Sequence, residues 1–306
     1  MRDQDGNHSQ TTRQSQTRQS QTRQSQTRQS ETRESQTTRG DARYLGPRRG
    51  GRWEHRRALS QNFLYDPGTI ARIVRAARPG ADDLLVEVGA GEGRLTRALA
   101  RECRKVIAYE IDAALARRVA ARYRSNPKIE CVHADFLSAT PPAEPFALVG
   151  NIPYGVTSRI VEWCLKAPEL TSATMVTQLD YARKRSGDRG RWSRLTVRTW
   201  PRFDWRLLGV IPRELFRPVP SVDSGILRLD RRREALLPPG ALREYEAFVA
   251  LGFGGVGGTL HASLSRRYRP ARVTAAFAAA GLDRRTIVAF VHPDQWIQLF
   301  TALHRR

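Results

Sequence analysis

From Leu59 onward, short strand-like runs alternate with helical stretches, which predicts an α/β fold: a mainly parallel sheet with helices on both faces. Two further observations refine it. The run Val86-Glu87-Val88-Gly89-Ala90-Gly91-Glu92-Gly93 reads as a strand feeding a glycine loop, with the helical Arg94-Leu95-Thr96-Arg97-Ala98-Leu99 behind it. Near the carboxy terminus Trp296, Leu299, Phe300 and Leu303 recur at i, i+3, i+4 and i+7 behind Pro293, which predicts a helix whose apolar stripe belongs to a core and hence a small all-α domain after the sheet.

Strands are expected at residues 84–88, 105–109, 128–132, 146–149 and 173–178, each followed by helical sequence. Two more, at 203–211 and 225–229, lack an intervening helix and are separated by Phe216-Arg217-Pro218-Val219-Pro220-Ser221, so an antiparallel edge pair is expected there, for seven strands in all. Pro238-Pro239-Gly240 opens the helical part, residues 236–306. Gly252, Gly254, Gly255, Gly257 and Gly258 interrupt its first helical stretch beside Arg266, Arg267, Arg269 and Arg272, either to let backbone approach a polyanion or as a plain turn beside a solvated face.

Before the fold, residues 9–35 repeat the unit Ser-Gln-Thr-Arg-Gln with no recurring apolar residue, so residues 1–53 are expected to form a disordered arm. That leaves 54–235 for the sheet domain and 236–306 for the helical one. Lys plus Arg number 52 against 30 Asp plus Glu, a formal charge of +22 that points to a polyanionic partner such as nucleic acid. Lysine occurs only at Lys105, Lys128, Lys166 and Lys184, so nearly all of the cations are arginine, the side chain suited to bidentate phosphate contacts.

No run approaches the length of a membrane span, and the amino terminus lacks the apolar core of a secretory signal, so a cytoplasmic protein is expected. Cys103, Cys131 and Cys164 are too widely spaced for a metal knuckle or a disulfide framework. None of the six histidines stands at ligand spacing from another His or a Cys, so no metal is expected, and His133 reads as structural.

The glycine loop is followed by Tyr109-Glu110-Ile111-Asp112 at the end of the next strand, the place where nucleotide-binding folds put an acid on a ribose hydroxyl. The spacing is Gly-x-Gly-x-Gly and there is no Gly-x-x-x-x-Gly-Lys-Ser/Thr, which disfavours NAD and ATP and points to another adenosine-containing cofactor. After the third of these strands, Asp135 can accept from an adenine amino group while Phe136 packs on the ring.

Asn151-Ile152-Pro153-Tyr154 follows the fourth strand at the carboxyl edge of the sheet, where open α/β folds bind ligands. This motif resembles the Asn/Asp-Pro/Ile-Pro-Tyr/Phe signature of S-adenosylmethionine-dependent methyltransferases acting on exocyclic amino groups of nucleobases, which implies a Rossmann-like catalytic domain and S-adenosyl-L-methionine as cofactor. The residue types suit the chemistry. An adenine N6 lone pair is delocalised into the ring, and two acceptors, the Asn151 side-chain oxygen and the Ile152 carbonyl, would hold its N–H groups in a geometry that frees the pair. Pro153 would stiffen the turn and Tyr154 would stack on the base.

Ser60-Gln61-Asn62-Phe63-Leu64, the Asp135-Phe136 pair and the segment from Phe216 to Ser224 narrow the resemblance to the ribosomal RNA adenine dimethyltransferase superfamily, from about Arg57 to Arg306. Residues 175–185 and 190–197 look like the Erm-type enzymes of high-GC bacteria, which modify one adenine of 23S rRNA and give resistance to macrolides, lincosamides and streptogramin B. The resemblance implies a monomer acting on 23S rRNA before full ribosome assembly. It implies cofactor contacts from Gln61, Asn62, Gly89, Glu110, Asp135 and Asn151, with Leu64, Glu87, Gly91, Gly93, Ile111 and Phe136 completing the expected cofactor site.

Asn151 and Tyr154 would face the target base, with Phe216 flanking it from the other side, and Lys184, Arg185, Arg191 and Arg194 would contact phosphates. Glu92 and Arg94 read as variable loop positions. The rival readings are a KsgA-type 16S rRNA adenine dimethyltransferase, a DNA adenine methyltransferase, and an RNA-binding factor that kept the fold without turnover. The arm reads either as a nonspecific RNA attachment or as a solvated tail.

Overall fold

Short apolar runs bounded by turn residues pair into one seven-stranded sheet in the computed structural model, which describes residues 62–255 and 259–304. The expected arm, Gln61, Gly257 and Gly258 lie outside those residues. The strands are β2 (Leu84–Val88), β3 (Lys105–Glu110), β4 (Ile129–His133), β5 (Phe146–Asn151), β6 (Leu170–Gln178), β7 (Phe203–Ile211) and β9 (Ser224–Arg231). Their order is β4-β3-β2-β5-β6-β9-β7, parallel as far as β6 and antiparallel from there on. The antiparallel partner expected for β7 is therefore present, and β9 lies between it and β6.

β2 is buried along its whole length, as is β5 up to Gly150, because helices cover both faces; neither shows the alternation of a half-exposed strand. The chain runs from β2 outward to β4 and then returns to lay β5 on the opposite side of β2. That reversal opens a crevice at the carboxyl ends of β2 and β5. Gly150 is required at the seam: a Cβ there would stand 2.7 Å from the Val88 carbonyl oxygen.

Helix α1 (Pro67–Ala77) begins with Pro67 behind Asp66, whose carboxylate accepts from Thr69 N (2.6 Å) and Thr69 Oγ1 (2.7 Å). Its far end is held by a buried cation from the sheet. Arg228 on β9 donates to the Ala76 and Ala77 carbonyls (both 2.7 Å) and to Thr174 Oγ1 (3.2 Å), and pairs with Asp230 at 2.7 Å. A guanidinium at a helix carboxyl end satisfies carbonyls that have no intrahelical donor and opposes the negative pole of the dipole. The remaining helices over the sheet are α2 (Arg94–Leu99), α3 (Ala113–Arg122), α4 (Thr157–Lys166), α5 (Leu179–Ser186) and α6 (Arg194–Thr199).

A two-residue strand, β1 (Phe63–Leu64), pairs antiparallel with another, β8 (Phe216–Arg217), placing Leu64 opposite Phe216. Both side chains face the core formed with Ile70, Ile73 and Ile211, and Phe216 is fully buried. The structure thus corrects the expectation that Phe216 flanks a base.

The carboxy-terminal helices are α7 (Leu242–Phe253), α8 (Leu260–Leu264), α9 (Pro270–Ala279) and α10 (Pro293–His304), closed around Tyr245, Phe248, Trp296 and Phe300. The expected stripe of Trp296, Leu299, Phe300 and Leu303 is buried. A Cβ on Gly252 would stand 2.3 Å from the Trp296 ring, so this glycine serves helix packing. Tyr245 Oη donates to the Val197 carbonyl (3.0 Å) and Trp200 Nε1 to Asp294 Oδ1 (2.7 Å), fastening these helices to α6.

Replacing Arg228 by Met removes the guanidinium that donates to the last carbonyls of α1 while keeping most of the side-chain volume. Arg228→Met is expected to lower unfolding stability by about 3 kcal/mol, the cost of breaking a buried ion pair from one side, read from the urea midpoint. A loss under about 1 kcal/mol would contradict the anchoring role.

Candidate active site

A cavity of about 370 Å³ opens at the carboxyl ends of β2, β3, β4 and β5, the switch point of the sheet. Its floor is the glycine loop. Gly89 N and Ala90 N both donate to the Tyr109 carbonyl (2.9 and 3.0 Å), tying the loop to β3. Gly89, Gly91 and Gly93 have φ of +79°, +57° and +74°, a region that side chains disfavour, so the loop can follow this path only with glycine there.

Glu110 fixes the loop's shape. Its Oε2 accepts from Gly91 N (2.7 Å) and its Oε1 from Asp112 N (2.9 Å). Burial raises its pKa above the ordinary carboxylate value, with the backbone N–H groups partly offsetting that effect. Asp135 lies across the cavity, where Oδ1 accepts from Leu137 N (3.0 Å) to cap a short turn. Phe136 forms apolar wall, buried against Trp163 (ring centroids 4.5 Å) and Tyr109 (5.5 Å), while Ile111 stands half-exposed at the rim.

Asn151 ends β5, and Ile152 N donates to the Val176 carbonyl (3.0 Å), which extends the ladder one residue further. The Asn151 Nδ2 donates to the Asn62 carbonyl at 2.6 Å. A backbone carbonyl can only accept, so this bond sets the amide orientation and leaves Oδ1 as the free acceptor end at the cavity. The next turn is held by Val156 N and Thr157 Oγ1, which both donate to the Pro153 carbonyl (3.1 and 3.3 Å). Tyr154 lines the cavity, and its hydroxyl is within 2.7 Å of Ser224 Oγ on β9, so the ring's long axis is held at both ends. Burial raises the Tyr154 phenol above its ordinary pKa, so it stays a neutral ring and hydrogen-bonding group.

The structure therefore brings Asn62, Gly89, Glu110, Ile111, Asp135, Phe136 and the Asn151-Ile152-Pro153-Tyr154 turn around one space. Other expected members are elsewhere. Leu64 is a core residue, and of the three loop glycines only Gly89 lines the cavity, while Gly91 lines a separate cleft. Glu87 is fully buried in the sheet and does not line the cavity. Lys184, Arg191 and Arg194 are exposed and away from the cavity.

Arg185 is turned inward: Nη1 donates to Ser193 Oγ (2.8 Å) and the guanidinium lies 4.8 Å from the Tyr181 ring centroid, so it ties α5 to α6. His133 is exposed at the end of β4 and outside the cavity. Phe63 and Arg159 are among the lining residues that carried no site expectation. Phe63 packs against the glycine loop, where a Cβ on Gly91 would stand 3.1 Å from its ring, and Arg159 on α4 stands at the cavity with an exposed side chain. Adjacency to Asn62 was the available signal for Phe63; an arginine on a helix surface carries none.

A glycine loop, a buried carboxylate at the end of the neighbouring strand, an apolar wall and a cavity of this size fit an adenosyl group. Together with the Asn-Ile-Pro-Tyr turn they make an α/β scaffold whose cavity suits a nucleoside-type ligand. The chain belongs to the ribosomal RNA adenine dimethylase family, whose model matches residues 52–305. It is 54% identical over 252 residues to an rRNA adenine N-6-methyltransferase of Saccharopolyspora erythraea, a match covering 82% of this chain and 66% of that protein. A Streptomyces fradiae protein of the same name is 55% identical over 250 residues, covering 81% of this chain and 78% of its own. The crystal structure of the 23S rRNA methyltransferase ErmE matches with a TM-score of 0.78 and 55% identity, covering 80% of this chain and all of that one (100%).

Glu87 has a measurable consequence although it lies outside the cavity. Desolvation, with a smaller contribution from the charge of Glu110, pushes its pKa up to about 8 from an ordinary 4.5, while the nearby Thr96 hydroxyl opposes the rise. The folded state thus holds a proton that the unfolded chain has already released between these values, so Glu87 costs stability as pH rises from about 4.5 to about 8 and adds no further loss above that. In urea titrations, Glu87→Gln should gain on the wild type by up to a factor approaching tenfold in folding constant per pH unit over this window. Parallel pH profiles for the two proteins would refute it.

Proposed function

We propose that this chain is an S-adenosylmethionine-dependent methyltransferase that methylates N6 of one adenine in 23S rRNA, with the macrolide, lincosamide and streptogramin B resistance that Erm-type modification gives. The observation that carries the reading is the Asn151 amide at the cavity, whose Nδ2 is held by the Asn62 carbonyl so that Oδ1 is its remaining acceptor, with Tyr154 lining the same cavity and held by Ser224. The identity of more than half over most of the chain to proteins named rRNA adenine N-6-methyltransferase supports the substrate class.

The cofactor, when bound, supplies a methyl group made electrophilic by a sulfonium. Glu110, which lines the cavity, would accept from its ribose hydroxyls, Asp135 Oδ2 would accept from its adenine amino group, and Phe136 would pack on the ring. For the target base, Asn151 Oδ1 and the Ile152 carbonyl accept the two N6 hydrogens. Two acceptors outside the ring plane favour a pyramidal nitrogen and localise its lone pair toward the methyl group. Tyr154 stacks on the extruded base, and Ser224 prevents the ring from turning away. Transfer to N6 would form the C–N bond as the sulfonium's S–CH3 bond breaks to leave a neutral thioether, and the N6 proton would pass to water, so the rate comes from positioning and polarisation, without a strong base.

Labelled methyl transfer to protein-free 23S RNA, 16S RNA and duplex DNA, followed by mapping of the modified base, tests the assignment. One labelled adenine in 23S RNA is expected, and preferential labelling of either other acceptor would overturn the substrate. Asn151→Ala should lower kcat by about 100-fold or more with RNA Kd changed by less than about threefold, because its acceptor matters most in the transition state. Full activity in that variant would refute the role.

A further inference from the structure

Behind the glycine loop, on the side away from the cofactor cavity, a cleft of about 630 Å³ lies between α1, α2 and α3. Arg94 and Arg97 on α2, Arg101 in the turn after it, and Arg118 and Arg122 on α3 line it, and all five are exposed. Glu92 is the one carboxylate among the lining residues and is engaged by Arg94 at 3.1 Å. Arg122 donates to the Glu92 backbone carbonyl (3.0 Å) and Arg118 to that of Ala114 (3.4 Å). Arg97, Arg101, Arg118 and Arg122 have no ion-pair partner among the described residues.

Five guanidiniums sharing one concave surface repel one another, and a single carboxylate neutralises one of them. Such an arrangement is stabilised by an anion. Arg94 to Arg101 spans about 10 Å at ~1.5 Å per residue, and α3 adds a second row across the cleft, which exceeds the reach of one phosphate and suits a chain of them. Acidic polypeptides are also polyanions, but guanidinium pairs spread along a groove match the regular charge of a nucleic acid backbone, and the proposed substrate is one.

We propose that this cleft is a second RNA-binding surface, which holds backbone phosphates of the substrate RNA at a distance from the target adenine. The identity of the polyanion rests on the rRNA reading above; the cleft's preference for an extended phosphate chain does not. The cleft anchors RNA and leaves the chemistry to the cavity, so it acts on affinity and KM while kcat stays with Asn151 and Tyr154.

The test is a triple variant, Arg97→Gln/Arg101→Gln/Arg118→Gln, compared with an equal charge change outside the cleft, Arg75→Gln/Arg117→Gln/Arg243→Gln. Affinity for a fluorescent, protein-free 23S RNA fragment is followed against salt concentration, with kcat and KM measured on the same RNA. The cleft variant should raise Kd and KM at least tenfold, reduce the log Kd versus log salt slope by about 2, and keep kcat within about twofold. The control variant should change Kd less than about threefold.

Equal effects in the two variants would mean that net charge alone is responsible and would overturn the proposal, as would an unchanged salt slope in the cleft variant. Tighter binding of polyglutamate than of RNA, lost in the cleft variant, would overturn it in favour of a protein-docking face. If wild type binds the RNA with the expected slope difference but methylates none of it, the catalytic reading fails while the cleft assignment stands.

Discussion

The hydrogen bond from Asn151 Nδ2 to the Asn62 carbonyl, 2.6 Å across a sequence gap of 89 residues, is the constraint on which the site depends. It joins the end of a central strand to the segment that enters the fold and decides which end of the amide faces the cavity. That segment has few anchors of its own. Its place is set by the two-residue ladder with Phe216–Arg217, by the Asp66 cap on the following helix and, at that helix's far end, by Arg228 from the sheet. Stability and function meet here: a shift of α1 would move the Asn62 carbonyl and release the Asn151 amide to rotate.

The charge distribution has a comparable logic. In a chain of net charge +22, two carboxylates are buried next to the glycine loop. Glu110 converts its burial into shape by accepting from Gly91 N of the loop and from Asp112 N at the head of α3, while Glu87 lies beneath with both oxygens lacking a hydrogen bond of good geometry. A buried carboxyl without donors is most stable protonated, as its raised pKa reflects. Among the described residues the two buried carboxyls thus both stand next to the one loop that has to approach a ligand with bare backbone.

Much of this was legible in the sequence, and the parts that were not share a cause. The seven strands, the antiparallel edge and the Asn-Ile-Pro-Tyr turn are local patterns of run length, turn chemistry and spacing, and the sheet places them as those patterns imply. A two-residue ladder has no periodicity to read, so the pairing that turns Phe216 into the core was invisible. Arg185 differs from exposed Arg194 only in having a serine eight residues away at the right distance, a fact of tertiary structure. The same holds for Glu92 and Arg94: along the chain they read as variable loop residues, and only the approach of α3 makes them part of an arginine-lined cleft.

That separation between cavity and cation has a physical reason. A base must leave its stack before N6 can reach the acceptors, which costs a few kcal/mol that a shallow aromatic contact from one tyrosine does not fully offset. Placing many cations in the cavity itself would not solve the problem, since a crowded positive field beside a cofactor that carries its own positive charge would weaken cofactor binding. Anchoring the RNA backbone on the far side of the glycine loop adds affinity without that repulsion, because solvent and counterions screen the interaction over roughly 10 Å. The fold can thus keep a nearly neutral, shape-selective pocket inside a strongly basic protein, with attraction for the polymer and recognition of the base assigned to different surfaces.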